Sequence, residues 1–167
     1  MDKGILTKTQ ESFLQQAGEN AFLARHFYLR GGTALAGFYL RHRYSEDLDF
    51  FSEEEFPTLG ITVFLKSIKQ KLGISKIDFQ QSFNRNLFFL RIKGNILKTE
   101  FTYFLFPRIE KGISFGKLDI ESIYDIAVDK VHTIVLKARA RDYIDLFFII
   151  REKGYTFEHL LLQAKAK

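Results

Sequence analysis

Two aspartates, Asp47 and Asp49, stand one residue apart in the stretch RGGTALAGFYLRHRYSEDLDFF, which runs from Arg30 to Phe51. They open a run that otherwise indicates a buried strand, although strands disfavour Asp and an unpaired buried carboxylate is costly. Residues two apart on a strand share a face, so these carboxylates project side by side, about 6–7 Å apart along the backbone. Hard divalent cations such as Mg²⁺ favour oxygen ligands of this kind, and paired metal ions can clamp a phosphoryl transfer.

A diglycine, Gly31-Gly32, stands upstream of the two acids, between a short predicted strand and a predicted helix. The missing side chains let backbone N–H groups approach a phosphate at the helix N-terminus, and Thr33 adds a hydroxyl donor. Taken alone, a diglycine is equally well explained as a tight turn, and a bare Asp-x-Asp as surface decoration. On adjacent strand ends with one helix between them, the two motifs together predict a phosphate and metal site.

Hydrophobic spacing predicts the elements that must position these residues. Up to the last strand, these are helices at 7–25, 33–41 and 62–72 and strands at 27–29, 48–51, 77–81, 87–92 and 96–104. After Pro107 and the glycines Gly112 and Gly116 the pattern is helical to the end, with helices at 123–137 (capped by Ser122), 139–153 (stopped by Gly154) and 157–165. We therefore predict an α+β fold, a small mixed β-sheet backed by helices with a C-terminal helical layer. It forms a single domain over residues 1–167, with its core at about 27–105 and its helical part at about 120–167.

The composition is that of one soluble globular domain: 167 residues, 46% hydrophobic and 27% charged. The absence of cysteine excludes a disulfide framework and a thiolate zinc site, and fits a reducing cytoplasm. No signal peptide is apparent in MDKGILTKTQESFLQQ, and no apolar run approaches the roughly 20 residues of a membrane span, so we expect a cytoplasmic protein without a membrane partner. The net charge of +5 fits a polyanionic partner and, equally, a solvated lysine-rich surface.

The fuller stretch LRGGTALAGFYLRHRYSEDLDFF resembles the signature of the AbiEii/AbiGii-type toxin nucleotidyltransferases, within the DNA-polymerase-β-like nucleotidyltransferase superfamily. In that family an arginine and a serine precede the Asp pair, as Arg43 and Ser45 do here. The resemblance implies a nucleotidyltransferase-like fold in which Asp47 and Asp49 are catalytic and hold Mg²⁺. The diglycine, Thr33, Arg43 and Ser45 would then bind the triphosphate of an NTP.

A third acid, Glu100, lies in ILKTEFTYF and is the only acid of that predicted strand. The superfamily commonly has a third carboxylate on a later strand, although more often Asp than Glu. The resemblance implies that Glu100 is a catalytic, metal-binding residue, and it could serve as the base that deprotonates the acceptor. An edge position in the sheet would also explain an acid at this place.

The C-terminal stretch ESIYDIAVDKVHTIVLKARARDYIDLFFI resembles later motifs of the family, a lysine on one helix and Arg-Asp-x-x-Asp opening the next. The resemblance implies that Lys130 contacts the nucleotide's phosphates and that Arg141, Asp142 and Asp145 complete the nucleotide-binding pocket. The residues themselves leave alternatives open. Lys130 could be a snorkelling lysine, and acids near a helix N-terminus are stabilised by its dipole.

The resemblance implies a Mg²⁺-dependent enzyme that transfers a nucleoside monophosphate from an NTP to an acceptor hydroxyl. It suggests RNA as the acceptor, with the tRNA 3′ end as the leading case, and an operon-encoded antitoxin as a partner. Candidates for the RNA-phosphate contacts are Arg41, Arg43, Lys137 and Arg139. Two alternatives remain: a transferase acting on a protein or small molecule, and a nucleotide- or RNA-binding module with this fold and no turnover.

Overall fold

The computed structural model describes residues 4–167 as a mixed seven-stranded sheet with helices on both faces. The first three residues, where the predicted domain and the N-terminal segment begin, lie outside this described part. The helices are α1 (Lys8–Glu19), α2 (Ala21–His26), α3 (Gly31–Leu35, continued by a π-helical turn at Ala36–Leu40), α4 (Thr58–Leu72), α5 (Ile123–Lys137), α6 (Ala140–Lys153) and α7 (Phe157–Ala166). The strands are β1 (Tyr28–Arg30), β2 (Leu48–Ser52), β3 (Ile74–Ser82), β4 (Arg85–Ile92), β5 (Asn95–Tyr103), β6 (Ile113–Phe115) and β7 (Leu118–Ile120).

The strand order is β3-β4-β5-β2-β1-β7-β6. Strand β2 runs parallel to β5, and β1 runs parallel to β7, whereas the remaining neighbours are antiparallel. The predicted α+β class, with a mixed sheet and a C-terminal helical layer, is therefore confirmed. No helix among residues 4–167 is long and apolar enough to cross a membrane.

Side-chain alternation on β2 separates the core from the acids. Leu48 and Phe50 are fully buried on one face, where Phe50 stacks on Phe101 with ring centroids 4.9 Å apart and packs against Phe13 of α1. The acids of the Asp-x-Asp motif therefore project from the opposite face, towards helices α5 and α6. This cluster of aromatic side chains fixes the strand that carries the motif.

Two predicted elements differ from the structure. The single helix predicted at 7–25 is broken at Asn20, whose side chain accepts a hydrogen bond from the Leu23 N–H at 3.0 Å and so starts a new helix. The chain after Pro107, Gly112 and Gly116 was predicted to be helical to its end, but strand β7 follows Gly116 and pairs with β6 in a hairpin that turns through Gly116 at a φ of 62°. Three-residue strands carry almost no periodic signal, and β7 is held by parallel pairing with the distant β1.

Candidate active site

A cleft of about 270 Å³ lies between the sheet face that carries the acids and helices α5 and α6. Two of the predicted site residues, Thr33 and Asp145, do not line it. The structure brings the other ten together on its walls: Gly31, Gly32, Arg43, Ser45, Asp47, Asp49, Glu100, Lys130, Arg141 and Asp142.

The three predicted catalytic acids converge because of the strand register. Asp49 pairs with Glu100 of β5 on one side and with Arg30 of β1 on the other. Burial, followed by the negative charges of Glu100 and Asp47, raises the pKa of Asp49 to about 6, although Lys98 and Arg141 act to lower it. A carboxylate that resists ionisation beside two others marks a place where added positive charge is favourable.

Two cationic side chains that sequence reasoning missed are bound to this cluster. The Lys98 ammonium lies 2.8 Å from Asp47 Oδ2, and the Arg85 guanidinium donates to both oxygens of Glu100 at 2.6 and 2.7 Å. The available signal was Lys98-x-Glu100, a same-face spacing, but no local pattern shows that β5 lies beside β2 in this register.

Glu100, which the sequence suggested as the base that deprotonates the acceptor, is a weak base in this structure. Burial alone would raise the pKa of Glu100, but hydrogen bonds from Arg85 and from the Thr102 hydroxyl, at 2.9 Å, outweigh burial and lower the pKa. In this arrangement Glu100 stays ionised at neutral pH and holds the Arg85 guanidinium.

The carboxylates have the donor chemistry that Mg²⁺ prefers, although the cluster is closed by these ion pairs. Among residues 4–167, no three histidine, aspartate or glutamate side chains are arranged so that they could hold a metal ion. Asp47 and Glu100 are instead paired with Lys98 and Arg85. The partners are accessible, since the Lys98 and Arg85 side chains are 29% and 49% exposed. Oxygens that bind an ammonium or guanidinium can bind a divalent cation once that group swings into solvent.

The diglycine lets two polar side chains pack against the start of α3. Gly31 has a φ of 79°, and a Cβ there would lie 3.3 Å from Asp49 Oδ2. A Cβ on Gly32 would lie 2.5 Å from Arg43 Nη2 and 3.0 Å from Ser45 Oγ. The motif therefore allows Arg43 and Ser45 to approach the helix N-terminus next to the acids.

Gly32→Ala is expected to destabilise the protein by about 1–3 kcal/mol, since the added methyl group overpacks against Arg43. Displacement of Arg43 should also weaken NTP binding, which isothermal titration of NTP against the variant would measure. Combining Gly32→Ala with Ser45→Gly frees room only on the serine side. If the double variant recovers full stability, the contact with Arg43 is not the cause.

Asp145 positions the cleft residues without lining the cleft. It is fully buried and accepts hydrogen bonds from Arg43 at 2.6 and 2.8 Å, lies 2.8 Å from His42 Nε2, and pairs with Lys130 at 2.8 Å. Burial opposes ionisation, but these partners outweigh it and lower the pKa of Asp145 to about 2. The predicted nucleotide-binding role differs from this placement, in which Asp145 orients Arg43. Thr33 is likewise buried, and its hydroxyl donates to the Asp47 carbonyl.

Lys130 lines the cleft but is held by two carboxylates. Its ammonium lies 2.8 Å from Asp142 Oδ1 and 2.8 Å from Asp145 Oδ2, and Asp142 also accepts the Arg139 N–H at 3.1 Å. The snorkelling alternative does not describe this geometry, because the ammonium is buried. Arg139 and Arg141 also line the cleft, on exposed positions at the start of α6.

A buried ionic group that lines another part of the cleft was also missed. The Arg30 guanidinium stands 4.5 Å from the ring centroids of both Phe51 and Phe104 and pairs with Glu121 and Asp129. Burial raises the pKa of Glu121 well above its ordinary value. These residues join β1, β7 and α5, so they fix the diglycine strand against the helical layer.

The fold and the arrangement of the cleft define a nucleotidyltransferase-like protein. The structure is similar to that of JHP933 from Helicobacter pylori, with a TM-score of 0.67 and 21% identity, covering 92% of this chain and 66% of that one. It is also similar to the Megavirus polyadenylate synthase, with a TM-score of 0.58 and 13% identity over 86% of this chain and 30% of that one. At these identities the likeness establishes the fold.

The particular family follows from the sequence profile. Residues 12–167 match the family described as the nucleotidyl transferase AbiEii toxin of type IV toxin–antitoxin systems, and the chain belongs to that family. The family predicted from the motifs is thus confirmed. An uncharacterised protein of Aquifex aeolicus, aq_aa25, is 30% identical over 145 residues, which cover 87% of this chain and 68% of that protein. The chain spans about two thirds of the length of these bacterial relatives.

Proposed function

We propose that this chain transfers a nucleoside monophosphate from an NTP to an acceptor hydroxyl, with Mg²⁺ bound by Asp47, Asp49 and Glu100. The observation that carries the proposal is the convergence of three carboxylates beside a diglycine against which Arg43 and Ser45 pack. The raised pKa of Asp49 supports it: burial and, after it, the charges of Glu100 and Asp47 raise this pKa, and a divalent cation would offset both by favouring the ionised carboxylate. Bound Mg²⁺ would supply charge neutralisation for the phosphates and align the reacting oxygens.

The residues of the cleft would divide the reaction between them. The acceptor oxygen attacks the α-phosphorus, the bond to the bridging oxygen of the β-phosphate breaks, and pyrophosphate leaves roughly in line. Arg43, Ser45 and the backbone at the diglycine line the cleft and would bind the triphosphate, while Arg139 and Arg141 would add positive charge from the start of α6. The acceptor proton passes to a carboxylate of the cluster.

We propose RNA as the acceptor and an antitoxin as the controlling partner. The net charge of +5 supports a polyanionic acceptor, and the family's description as a type IV toxin–antitoxin component supports the antitoxin. NTP and RNA are cytoplasmic substrates, and a chain without cysteine suits that compartment.

The test is incubation of the purified chain with each labelled NTP and total RNA, with Mg²⁺ or with excess chelator. We expect label to enter RNA from a preferred NTP only when Mg²⁺ is present. Label that enters protein and not RNA would assign a different acceptor. Absence of transfer to RNA, protein and small hydroxyl compounds alike would contradict the proposed activity.

A second candidate is a nucleotide- or RNA-binding module without turnover. It is favoured by one observation, the ion pairs of Lys98 and Arg85 with two of the three acids. Under this reading the cations replace the metal permanently. Thermal melts separate the candidates: Mg²⁺ should raise the stabilisation by NTP if the acids bind metal, and should add nothing if they do not.

A further inference from the structure

The sheet face that carries the acids continues past them onto β4 and β5. Register pairs Leu87 with Glu100, Phe89 with Lys98, and Arg91 with Ile96. Alternation puts all of these side chains on the acid side of the sheet, so every apolar residue of this surface faces a charged one. We call Leu87, Phe89, Arg91, Ile96 and Lys98 the open face.

The open face is accessible, unlike the other side of the same strands. Ile96 is 61% exposed, Arg91 is exposed, and Leu87 and Phe89 are half-buried. In residues 4–167 no ion pair involves Arg91. By contrast, Phe88, Leu90 and Leu97 on the reverse side are buried in the core. Apolar side chains kept on an accessible, cationic surface beside a cleft indicate a binding function.

The geometry of phosphoryl transfer indicates which substrate would approach the acids from the open face. In the order β4-β5-β2-β1, the acids on β5 and β2 lie between the open face and the diglycine that follows β1. Attacking and leaving oxygens stand roughly in line, so a triphosphate bound at the diglycine directs its pyrophosphate away from β4. The acceptor hydroxyl must then arrive from the side of β4 and β5.

We propose that the open face binds the unpaired 3′-terminal nucleotides of a single-stranded nucleic-acid acceptor. Bases pack on Phe89 and its apolar neighbours, and Arg91 and Lys98 contact phosphates, which is the pairing of stacking and positive charge that single-strand binders use. This inference rests on the proposed function and identifies where its acceptor binds. The next strand adds one acid, Asp78 beside Phe89, but Lys76 pairs with it at 2.7 Å and offsets its charge.

The open face differs from the basic residues that sequence spacing suggested for the acceptor. Of those, Arg43 is fastened to Asp145 on the diglycine side of the acids. Lys98 releases Asp47 when a metal ion takes the carboxylate, and its ammonium then becomes available to a phosphate at the position where the acceptor ends. The same exchange that opens the metal site therefore completes the acceptor surface.

The test uses the full chain and a labelled oligoadenylate of about 12 nucleotides, with affinity measured over a range of salt concentrations. Arg91→Gln should reduce the slope of log affinity against log salt by about 0.7, and Phe89→Leu should weaken binding roughly 10-fold. The controls are Lys66→Gln on α4 and Phe79→Leu, which is exposed on the reverse side of β3. Both should remain within about twofold of the parent.

Equal affinity and slope in Arg91→Gln and the parent would overturn the assignment, and so would equal binding of a blunt duplex of the same length. Thermal melts show whether Phe89→Leu is folded, and Arg91→Gln tests the face independently of packing. If RNA is still labelled while both open-face variants bind normally, the acceptor site lies elsewhere and the proposed function stands. If the oligomer binds on this face but nothing is ever labelled, the proposed function fails and the surface stands.

Discussion

Asp49→Asn is expected to lower the rate of nucleotidyl transfer by at least about 10³-fold and, at the same time, to make the folded protein more stable. Activity should fall because the variant removes a carboxylate from the proposed metal site. Stability should rise because the pKa of Asp49 in the folded chain, about 6, lies above its ordinary 3.8, so at neutral pH folding opposes its ionisation. By linkage, loss of the charge should add about 1–3 kcal/mol to the free energy of unfolding at pH 7.

Urea unfolding of Asp49→Asn and the parent, read beside a transfer assay, checks both parts. Because the pKa of Asp49 is raised in the folded chain, the stability gained by the variant should depend on pH. This gain in the free energy of unfolding should be largest above pH 6 and should shrink as the pH falls towards 4, where the parent carboxyl becomes protonated. Glu46→Gln is the matched control, because Glu46 is exposed and precedes the acid pair. If Asp49→Asn keeps its transfer activity, Asp49 does not belong to the catalytic site.

Asp145→Ala is expected to destabilise the protein by about 3–5 kcal/mol, the range for breaking one partner out of a buried ionic group. The reason is that Arg43, His42 and Lys130 all lose the carboxylate that holds them. NTP affinity should fall as well, since Arg43 is no longer fixed beside the diglycine. Glu152→Ala, at an exposed position of the same helix, controls for helix propensity and should change stability by less than about 0.5 kcal/mol.

The dependence of stability on acid pH provides an independent measure of the Asp145 ion pairs. The pKa of Asp145 in the folded chain, about 2, lies below its ordinary 3.8, so its stabilisation is fully present above about pH 4. That contribution is lost as the pH falls through about 2, which is the opposite sign to Asp49. The free energy of unfolding of the parent should therefore fall more steeply between pH 4 and 2 than that of Asp145→Asn. Parallel curves would contradict the ionic role.

The sequence by itself determined the local features of this protein: where helices start and end, and which face of a strand each side chain occupies. Ser122 accepts the Asp125 N–H at 2.9 Å and starts α5 where its cap was predicted, and Gly154 ends α6 in the left-handed conformation. The strand alternation that hides Leu48 also predicted that Asp47 and Asp49 share a face. These features depend on residues a few positions apart, so a spacing pattern contains them. The same motifs were sufficient to identify the family.

Only the tertiary structure decided which charges meet. Asp145 and Arg43 are separated by 102 positions, and Lys98 and Asp47 by 51, so no periodicity could pair them. Parallel register between β2 and β5 placed Lys98 against the acid pair, and the packing of α6 turned Asp145 inward, away from the cleft. Local spacing fixes which face a side chain occupies, whereas its partner depends on which distant strand or helix the buried core brings alongside.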